Sequence, residues 1–287
     1  MAGQDVLATP GELVQVEVRL RKTSLFWEPK PTGVYIFLDG NVYHAAKTDS
    51  NGAVFASFRP PAVGDYPFHV ECYAKPGQPP VKTDILVACR EANRPLFVSD
   101  IDQTLSCWQE RREVLFGAPN AMSGAAEVMT RIARDYSVLY LTHRWDYLAK
   151  RTHRWLNAKG FPGGPIFAAR GWSELVADNE KFKTAVLARI SGRFHGGGFG
   201  IGDQASDVLA YEGSGLRGIL FIDRDGLRKP SKVQEAIQQV ELVPASAQVV
   251  LTWAEAEKVV FDGAKFPPAA AKERLTIILL NLEKQGR

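Results

Sequence analysis

The chain has 287 residues, of which 45% are hydrophobic and 23% are charged, and its formal net charge is +3. This composition is typical of globular proteins and excludes disordered and fibrous classes. No apolar run reaches the roughly 18 to 20 residues of a membrane-spanning helix, and the start lacks the basic cluster and apolar stretch of a signal peptide. The 3 cysteines have no metal-ligand spacing and, being odd in number, complete no disulfide framework. We therefore expect a cytoplasmic protein in which any membrane contact is peripheral.

Residues 10 to 90 contain short apolar stretches separated by turn signals. Residues 14–20 alternate apolar with polar side chains, which indicates a half-buried strand. Similar stretches lie at 34–38, 42–44, 53–58, 68–73 and 84–87. Short strands at this spacing, without a helical window, predict a small antiparallel β-sandwich. The pattern resembles bacterial immunoglobulin-like modules, and we assign this module to residues 1–93.

From residue 94 onward, apolar strands alternate with amphipathic helices. Strand-like runs occur at 96–98, 138–141, 166–167, 199–201 and 218–222. Between them, the spacing of Ala125, Val128, Met129 and Ile132 predicts a helix with one buried face. This alternation predicts an α/β domain, Rossmann-like with a parallel sheet, over residues 94–287. In such sheets the ligand site lies beyond the carboxyl ends of the strands.

Polar residues suited to phosphoryl transfer occur at the predicted strand ends and at one helix start. A carboxylate can attack phosphorus and form an acyl phosphate, and a second carboxylate two residues later can act as general acid and base. A hydroxyl and an ammonium can hold the phosphoryl oxygens, and grouped carboxylates can hold Mg²⁺. The residues in these positions are Asp100, Asp102, Thr142, Lys183, Asp203 and Asp207.

The order and spacing of these residues resemble the haloacid dehalogenase superfamily of phosphatases. Asp100-Ile101-Asp102-Gln103-Thr104 matches its first motif, Thr142 its second, Lys183 its third, and the segment 202–207, Gly-Asp-Gln-Ala-Ser-Asp, its fourth. The resemblance covers roughly residues 94 to 230. It implies a covalent aspartyl-phosphate on Asp100, with Asp102 as acid and base and Thr142 and Lys183 holding the phosphoryl group. The predicted Mg²⁺ ligands are Asp100, Asp102, Asp203 and Asp207, and the candidate substrate contacts are Thr104, His143 and Arg144.

Three stretches resemble the catalytic domain of lipin-type phosphatidate phosphatases: residues 160–166, 180–183 and 207–211. The first stretch also resembles a fungal and bacterial phosphatidate phosphatase group that carries Ser-Asp-Ile-Asp-Asp-Thr. The chain differs by having Gln103 where that group has Asp, and Asp203 where lipins have Asn. Neither difference removes the nucleophile or the acid. The resemblance implies a lipid phosphate such as phosphatidate as the substrate.

Short connections between the motifs predict a minimal cap and a site open to bulky substrates. Residues 106–112, which include one tryptophan and two arginines, are a candidate flap. The basic helix at 144–159 either faces anionic lipid headgroups or is a solvated face. Two other functions stay open: a non-catalytic module that binds lipid headgroups, and a phosphatase of phosphoproteins or nucleic-acid ends. For the leading function, we expect a phosphate-bearing substrate and no nucleic-acid partner.

Overall fold

The computed structural model describes residues 1–20, 32–73, 77–107 and 119–286. In these ranges the strands are β1 (Ala2–Gly3), β2 (Val6–Ala8), β3 (Val14–Arg19), β4 (Gly33–Leu38), β5 (Asn41–Lys47), β6 (Ala53–Phe58), β7 (Gly64–Tyr73), β8 (Val81–Cys89), β9 (Leu96–Ser99), β10 (Ser106–Cys107), β11 (Asn120–Ala121), β12 (Ser137–Trp145), β13 (Ile166–Ala169), β14 (Gly198–Gly202), β15 (Arg217–Phe221) and β16 (Gln248–Val250). The helices are α1 (Ala125–Asp135), α2 (Ala149–Ala158), α3 (Trp172–Leu175), α4 (Asn179–Ser191), α5 (Ala205–Gly213), α6 (Pro230–Leu242), α7 (Trp253–Phe261) and α8 (Pro268–Lys284). Within the described residues, no helix has both the length and the apolar content needed to cross a membrane.

The chain divides into two compact units. The first consists of Met1–Ala92, His143–Arg154 and Gly164–Val176. The second consists of Asn93–Thr142, Trp155–Gly163 and Ala177–Arg287. The division of the sequence into residues 1–93 and 94–287 stays a prediction.

The first unit contains two sheets around one core. In one sheet the strand order is β1-β3-β6, and in the other it is β2-β8-β7-β4-β5. Neighbouring strands are antiparallel except β2 and β8, which run parallel. The prediction of an all-antiparallel sandwich is therefore wrong at this one pair, because β2 was not predicted as a strand. The buried residues that the two sheets share in this core include Val16, Val54, Phe58, Ile36, Phe68 and Val87. The immunoglobulin-like character of the module stays a prediction.

Asp5 connects three segments of the first unit. It is buried, and its Oδ1 accepts a hydrogen bond from the backbone N of Leu86 at 2.8 Å. Its Oδ2 accepts from the backbone N of Ile166 at 2.8 Å and from His153 Nε2 at 2.6 Å. Because a buried carboxylate needs such donors, Asp5 holds the 143–154 and 164–176 segments to the β8 strand.

The second unit is built on a parallel sheet. Among its described residues, five strands lie side by side in the order β12-β9-β14-β15-β16. Each neighbouring pair is parallel. All four residues of the central β9 are buried, as are the residues Ala125, Val128, Met129 and Ile132 of α1. The predictions of a parallel α/β sheet and of this helix face are confirmed. The parallel direction brings the residues that follow β9 and β14 to one edge of the sheet.

Glycines allow the elements around β14 to approach closely. A Cβ on Gly198 would lie 1.9 Å from the carbonyl oxygen of Leu96 in the neighbouring strand. A Cβ on Gly200 would lie 2.1 Å from the ring of Tyr211 in α5. Both separations are far below any real carbon contact, so these two positions require glycine for the strand and helix to pack.

The carboxyl-terminal elements are the helices α6, α7 and α8 and the strand β16. Thr252 caps α7 as its Thr-x-x-Glu pattern indicates, since Thr252 Oγ1 accepts from the backbone N of Glu255 at 3.2 Å. The carboxylate of Glu255, however, accepts from the backbone N of Leu251 at 2.7 Å. The helix α6 and the strand β16 were not predicted. Most of the candidate flap at 106–112 lies outside the described residues. Its two described residues form β10, which pairs with β11.

Candidate active site

Asp100 stands directly after the central strand β9. Its backbone N donates to the carbonyl of Ile201 in β14 at 2.9 Å, which continues the sheet pairing by one residue. The chain then turns back, because the backbone N of Leu105 and of Ser106 both bond to the carbonyl of Ile101, at 3.0 and 2.9 Å. Gln103 in this turn has φ of 57°, a left-handed conformation that costs a non-glycine residue about 1–2 kcal/mol. The first motif is therefore a tight turn at the carboxyl edge of the sheet.

Lys183 joins two of the candidate carboxylates. Its Nζ lies 2.6 Å from Asp100 Oδ1 and 2.7 Å from Asp207 Oδ1. All three side chains are buried, and Lys183 is only 1% exposed. The lysine lies in the first half of α4, and the aspartates come from the ends of β9 and the start of α5. The three predicted residues thus meet in one ionic cluster.

Asp207 is held by more than the lysine. Its Oδ1 also accepts from the side-chain amide of Asn179 at 2.7 Å, and its Oδ2 accepts from the backbone N of Gln204 at 3.3 Å. A Cβ on Gly202 would lie 2.2 Å from Asp207 Oδ2, so only glycine leaves room for this carboxylate. Asn179 also donates to Ser206 Oγ at 3.0 Å. The carboxylate therefore has a fixed orientation.

Asp203 completes a group of acids that fits a cation. One carboxylate oxygen from each of Asp100, Asp203 and Asp207 lies within 4.8 Å of the other two. Asp203 Oδ2 accepts from the side-chain amide of Gln204 at 2.8 Å. Three carboxylates face one ammonium here, which leaves two negative charges unbalanced. Oxygen donors with excess negative charge suit Mg²⁺. Asp102, the fourth predicted ligand, is not in this group.

Burial, with the neighbouring charges after it, shifts the pKa values of this cluster. Burial raises the pKa of Asp100 well above its usual range, and the neighbouring acids act in the same direction while Lys183 opposes them. Burial, followed by repulsion from Asp207, raises the pKa of Asp203 to about 7. Burial lowers the pKa of Lys183, but Asp100 and Asp207 outweigh it and hold the value well above the ordinary one. The lysine is therefore a permanent cation in this cluster.

Two threonines of the motifs are buried in the second unit. Thr142 lies in β12, two residues beyond Tyr140, which is paired with Ser99 at the end of β9. Its position is therefore level with the turn that follows Asp100. Thr104 is fully buried, and its carbonyl accepts from Trp253 Nε1 at 3.2 Å. No hydrogen-bond partner of the Thr104 hydroxyl is found among the described residues.

His143 and Arg144 belong to the first unit. His143 Nε2 donates to the carbonyl of Glu174 at 2.8 Å, and Arg144 Nη1 donates to Thr152 Oγ1 at 3.3 Å. All of these residues lie in the 143–154 and 164–176 segments. A contact of His143 or Arg144 with substrate stays a prediction.

Asn179 and Gln204 were not recognised in the sequence. Asn179 precedes Lys183 by four residues, the spacing that places two side chains on the same face of a helix. Gln204 lies between Asp203 and the start of α5. The helical spacing could have identified Asn179 once Lys183 was selected, whereas the contact of Gln204 with Asp203 had no signal in the sequence.

One family model matches part of the chain. Residues 97–218, somewhat less than half of the chain, match the family model described as "PITM 1-3, LNS2 domain". This is a phosphatase family of the haloacid dehalogenase type. The match and the site support a phosphatase of the haloacid dehalogenase type. No curated protein matches the chain.

Solved structures give only distant likenesses. D,D-heptose 1.7-bisphosphate phosphatase from B. bronchiseptica, complexed with magnesium and phosphate, is 16% identical with a TM-score of 0.44, over 59% of this chain and 99% of that one. The fibronectin(III)-like modules of Clostridium thermocellum CbhA are 12% identical with a TM-score of 0.23, over 31% and 89% of the two chains. At these TM-scores, neither neighbour indicates a function for this chain.

Proposed function

We propose that this protein is a Mg²⁺-dependent phosphatase that forms an aspartyl-phosphate on Asp100. The observation that carries the proposal is the buried cluster in which Lys183 contacts Asp100 and Asp207, with Asp203 beside them. A structural ion pair would need one acid for one base. This cluster gathers three acids around one base at the carboxyl edge of a parallel sheet, where ligands bind.

The proposed reaction begins with attack of Asp100 on the phosphorus. Its Oδ1 accepts from Lys183, so Oδ2 is the attacking oxygen. Asp102 donates a proton to the leaving oxygen and later removes one from the water that cleaves the acyl phosphate. Lys183 and Thr142 hold the phosphoryl oxygens, on which charge accumulates. Dividing the displacement into two steps lowers each barrier.

The acids in this cluster fit a divalent cation. Asp100 and Asp203, and Asp207 either directly or through water, would hold Mg²⁺. Once bound, the cation would offset the repulsion between the anionic nucleophile and the anionic phosphate. Hydrogen bonds from the Asn179 side chain and the Gln204 backbone keep the Asp207 carboxylate oriented.

The best candidate substrate is phosphatidate or a related lipid phosphate. This choice rests on the lipin-type stretches at 160–166, 180–183 and 207–211. Between Thr142 and Lys183 the described elements are the end of β12, the helix α2, the strand β13 and the short α3, so no large folded cap is inserted there. A peripheral contact with a membrane, at the cytoplasmic face, would bring such a substrate to the site.

A phosphate-release panel tests the proposal. The substrates are phosphatidate in mixed micelles, sugar phosphates, nucleotides and phosphopeptides, each with Mg²⁺ and with EDTA. We expect release that EDTA abolishes, and that Asp100→Asn lowers by at least about 10³-fold, since the nucleophile is lost. Asp262→Asn, at an exposed aspartate outside the cluster, is the matched control and should behave as wild type.

The panel also separates the rival functions. Substantial turnover by Asp100→Asn would contradict the covalent mechanism. Binding to phosphatidate vesicles without any phosphate release would indicate a non-catalytic headgroup-binding module. Preference for phosphopeptides or for nucleic-acid ends would keep the chemistry and exclude the lipid substrate.

A further inference from the structure

A cavity of about 750 Å³ opens beside the candidate active site. On one side it is lined by Gln103 of the first motif and by Asp203 and Gln204. The loop that follows β15 and several residues of α6 also line it. This loop leaves the same carboxyl edge of the sheet as Asp100 and Asp203, so a substrate reacting at Asp100 can extend into the cavity.

Three cations line this cavity: Arg228, Lys229 and Lys232. Lys232 is paired with Glu235 at 2.6 Å. Arg228 uses its Nε to bond the backbone carbonyl of Asp225 at 2.9 Å. Within the described part of the chain, neither Arg228 nor Lys229 forms an ion pair, and both are exposed to the cavity.

The acids of the same cavity have contacts of their own, and one of them also feels Arg228: burial raises the pKa of Asp223, and the charge of Arg228 opposes this shift. Asp223 is partly buried and accepts from the backbone N of Asp225 at 3.1 Å. Asp225 itself lies 4.0 Å from Arg224 Nε, and Glu235 is paired with Lys232. Lys229 therefore remains available, and Arg228 acts on Asp223 through its charge without forming an ion pair; both line the same cavity as Asp203.

We propose that Arg228 and Lys229 form a subsite for a second anionic group, phosphate or carboxylate, of the same substrate molecule whose phosphoryl group reacts at Asp100. The proposal rests on the proposed phosphatase function and narrows its substrate to phosphate esters with a second anionic group, which among lipid phosphates excludes phosphatidate itself, whose one anionic group would react at Asp100. A guanidinium forms paired hydrogen bonds with a planar or tetrahedral anion, and the ammonium adds a point charge.

The binding test uses the Asp100→Asn chain, so that the probes are not consumed. Fructose 1,6-bisphosphate and fructose 6-phosphate differ by one anionic group, and their affinities with Mg²⁺ are compared by calorimetry. We expect the bisphosphate to bind roughly 10-fold more tightly, the effect of one charge-assisted contact. Adding Arg228→Gln and Lys229→Gln should remove this preference while leaving the affinity for fructose 6-phosphate within about 2-fold.

Lys272→Gln is the control for loss of a surface charge. Lys272 is half exposed and pairs with Glu241 in α6, so its removal should keep the preference. Equal affinity of the two probes, no binding of the bisphosphate, or a preference that survives both substitutions would overturn the subsite. A chain that releases no phosphate from any substrate, yet keeps the preference until Arg228 and Lys229 are replaced, would contradict the proposed function and leave the subsite standing.

Discussion

Asn179 donates a 2.7 Å hydrogen bond to Asp207 Oδ1, the oxygen that also accepts from Lys183 at 2.7 Å. Two donors on one face of α4 thus converge on one carboxylate oxygen. Because Lys183 contacts the nucleophile as well, the orientation of Asp207 sets the position of the ammonium beside Asp100. Asn179 is therefore a positioning residue that acts through Asp207 and Lys183.

Replacing Asn179 tests this relationship. We expect Asn179→Ala to lower kcat roughly 5- to 10-fold with little change in KM, the effect of about 1 kcal/mol from one lost hydrogen bond. Asn179→Asp should be worse, since it sets a carboxylate against Asp207. Steady-state kinetics with Mg²⁺ measure both variants.

Asp178 provides the control, because it caps the same helix without contacting the cluster. Its side chain accepts from the backbone N of Glu180 at 3.0 Å. Asp178→Ala should cost about 1 kcal/mol of stability and leave kcat unchanged. If Asp178→Ala lowers kcat as much as Asn179→Ala, the role of Asn179 is only to support the helix.

Gly202 is expected to be essential because of the space it leaves for Asp207. The added Cβ of Gly202→Ala would displace Asp207 Oδ2, from which it would lie 2.2 Å away. A shift of about 1 Å in such a group costs on the order of 10²-fold in rate, so kcat should fall by that factor. Gly213→Ala, where a Cβ meets nothing within 4 Å, should keep wild-type activity. Near-normal kcat in Gly202→Ala would show that Asp207 tolerates displacement.

The sequence predicted the gathering of Asp100, Asp203 and Asp207 because that outcome follows from topology, whereas Lys183, inside the helix α4, was predicted from the motif resemblance. Parallel strands align their carboxyl ends, so residues placed just after β9 and β14 must meet. The helix α6 could also have been found, since Pro230 is followed by Val233, Ala236 and Val240 at helical spacing. It was missed although the signal was present.

Other features had no local signal. The 143–154 and 164–176 segments fall in the first unit, where Asp5 bonds His153 and Ile166, which are 148 and 161 residues away along the chain. Such a contact depends on the whole fold and leaves no periodicity. The glycines of β14 are a similar case. In the sequence, the glycine run at 196–200 indicates a flexible connector that leads into the predicted strand at 199–201, and only the neighbouring Leu96 and Tyr211 explain why Gly198 and Gly200 are glycines.

The contact of His153 with Asp5 makes the stability of the first unit depend on pH. Burial lowers the pKa of His153, but the hydrogen bond and charge of Asp5 outweigh it and raise the pKa above its usual value of 6.5. A base with a raised pKa in the folded state stabilises that state fully below the unfolded value. The stabilisation is lost as pH rises from 6.5 through the raised value.

His153→Gln should remove this dependence, because the neutral amide can still donate to Asp5. We expect the melting temperature of the variant to lie a few degrees below that of wild type at pH 5.5 and to approach it by pH 9. His195→Gln, at an exposed histidine, is the control and should show no such trend. A difference between His153→Gln and wild type that is constant across this range would mean that the charge of His153 adds nothing. Lys150 and Asp84, paired at 3.0 Å in the same unit, are unchanged in both variants.

The excess negative charge of the cluster predicts opposite effects of Asp203→Asn with and without a divalent cation. At pH 8, above the raised pKa of about 7, Asp203 is ionised and repels Asp207. Without Mg²⁺, Asp203→Asn should therefore melt at a higher temperature than wild type. With Mg²⁺ at 100 times its Kd, wild type should gain about 2.7 kcal/mol, and the variant should gain much less. Thermal melts in EDTA and in Mg²⁺ measure both effects. If wild type gains no stability from Mg²⁺, the cluster holds no metal. If Asp203→Asn has the same melting temperature in EDTA as wild type and Asp262→Asn, the acids of the cluster are balanced in another way.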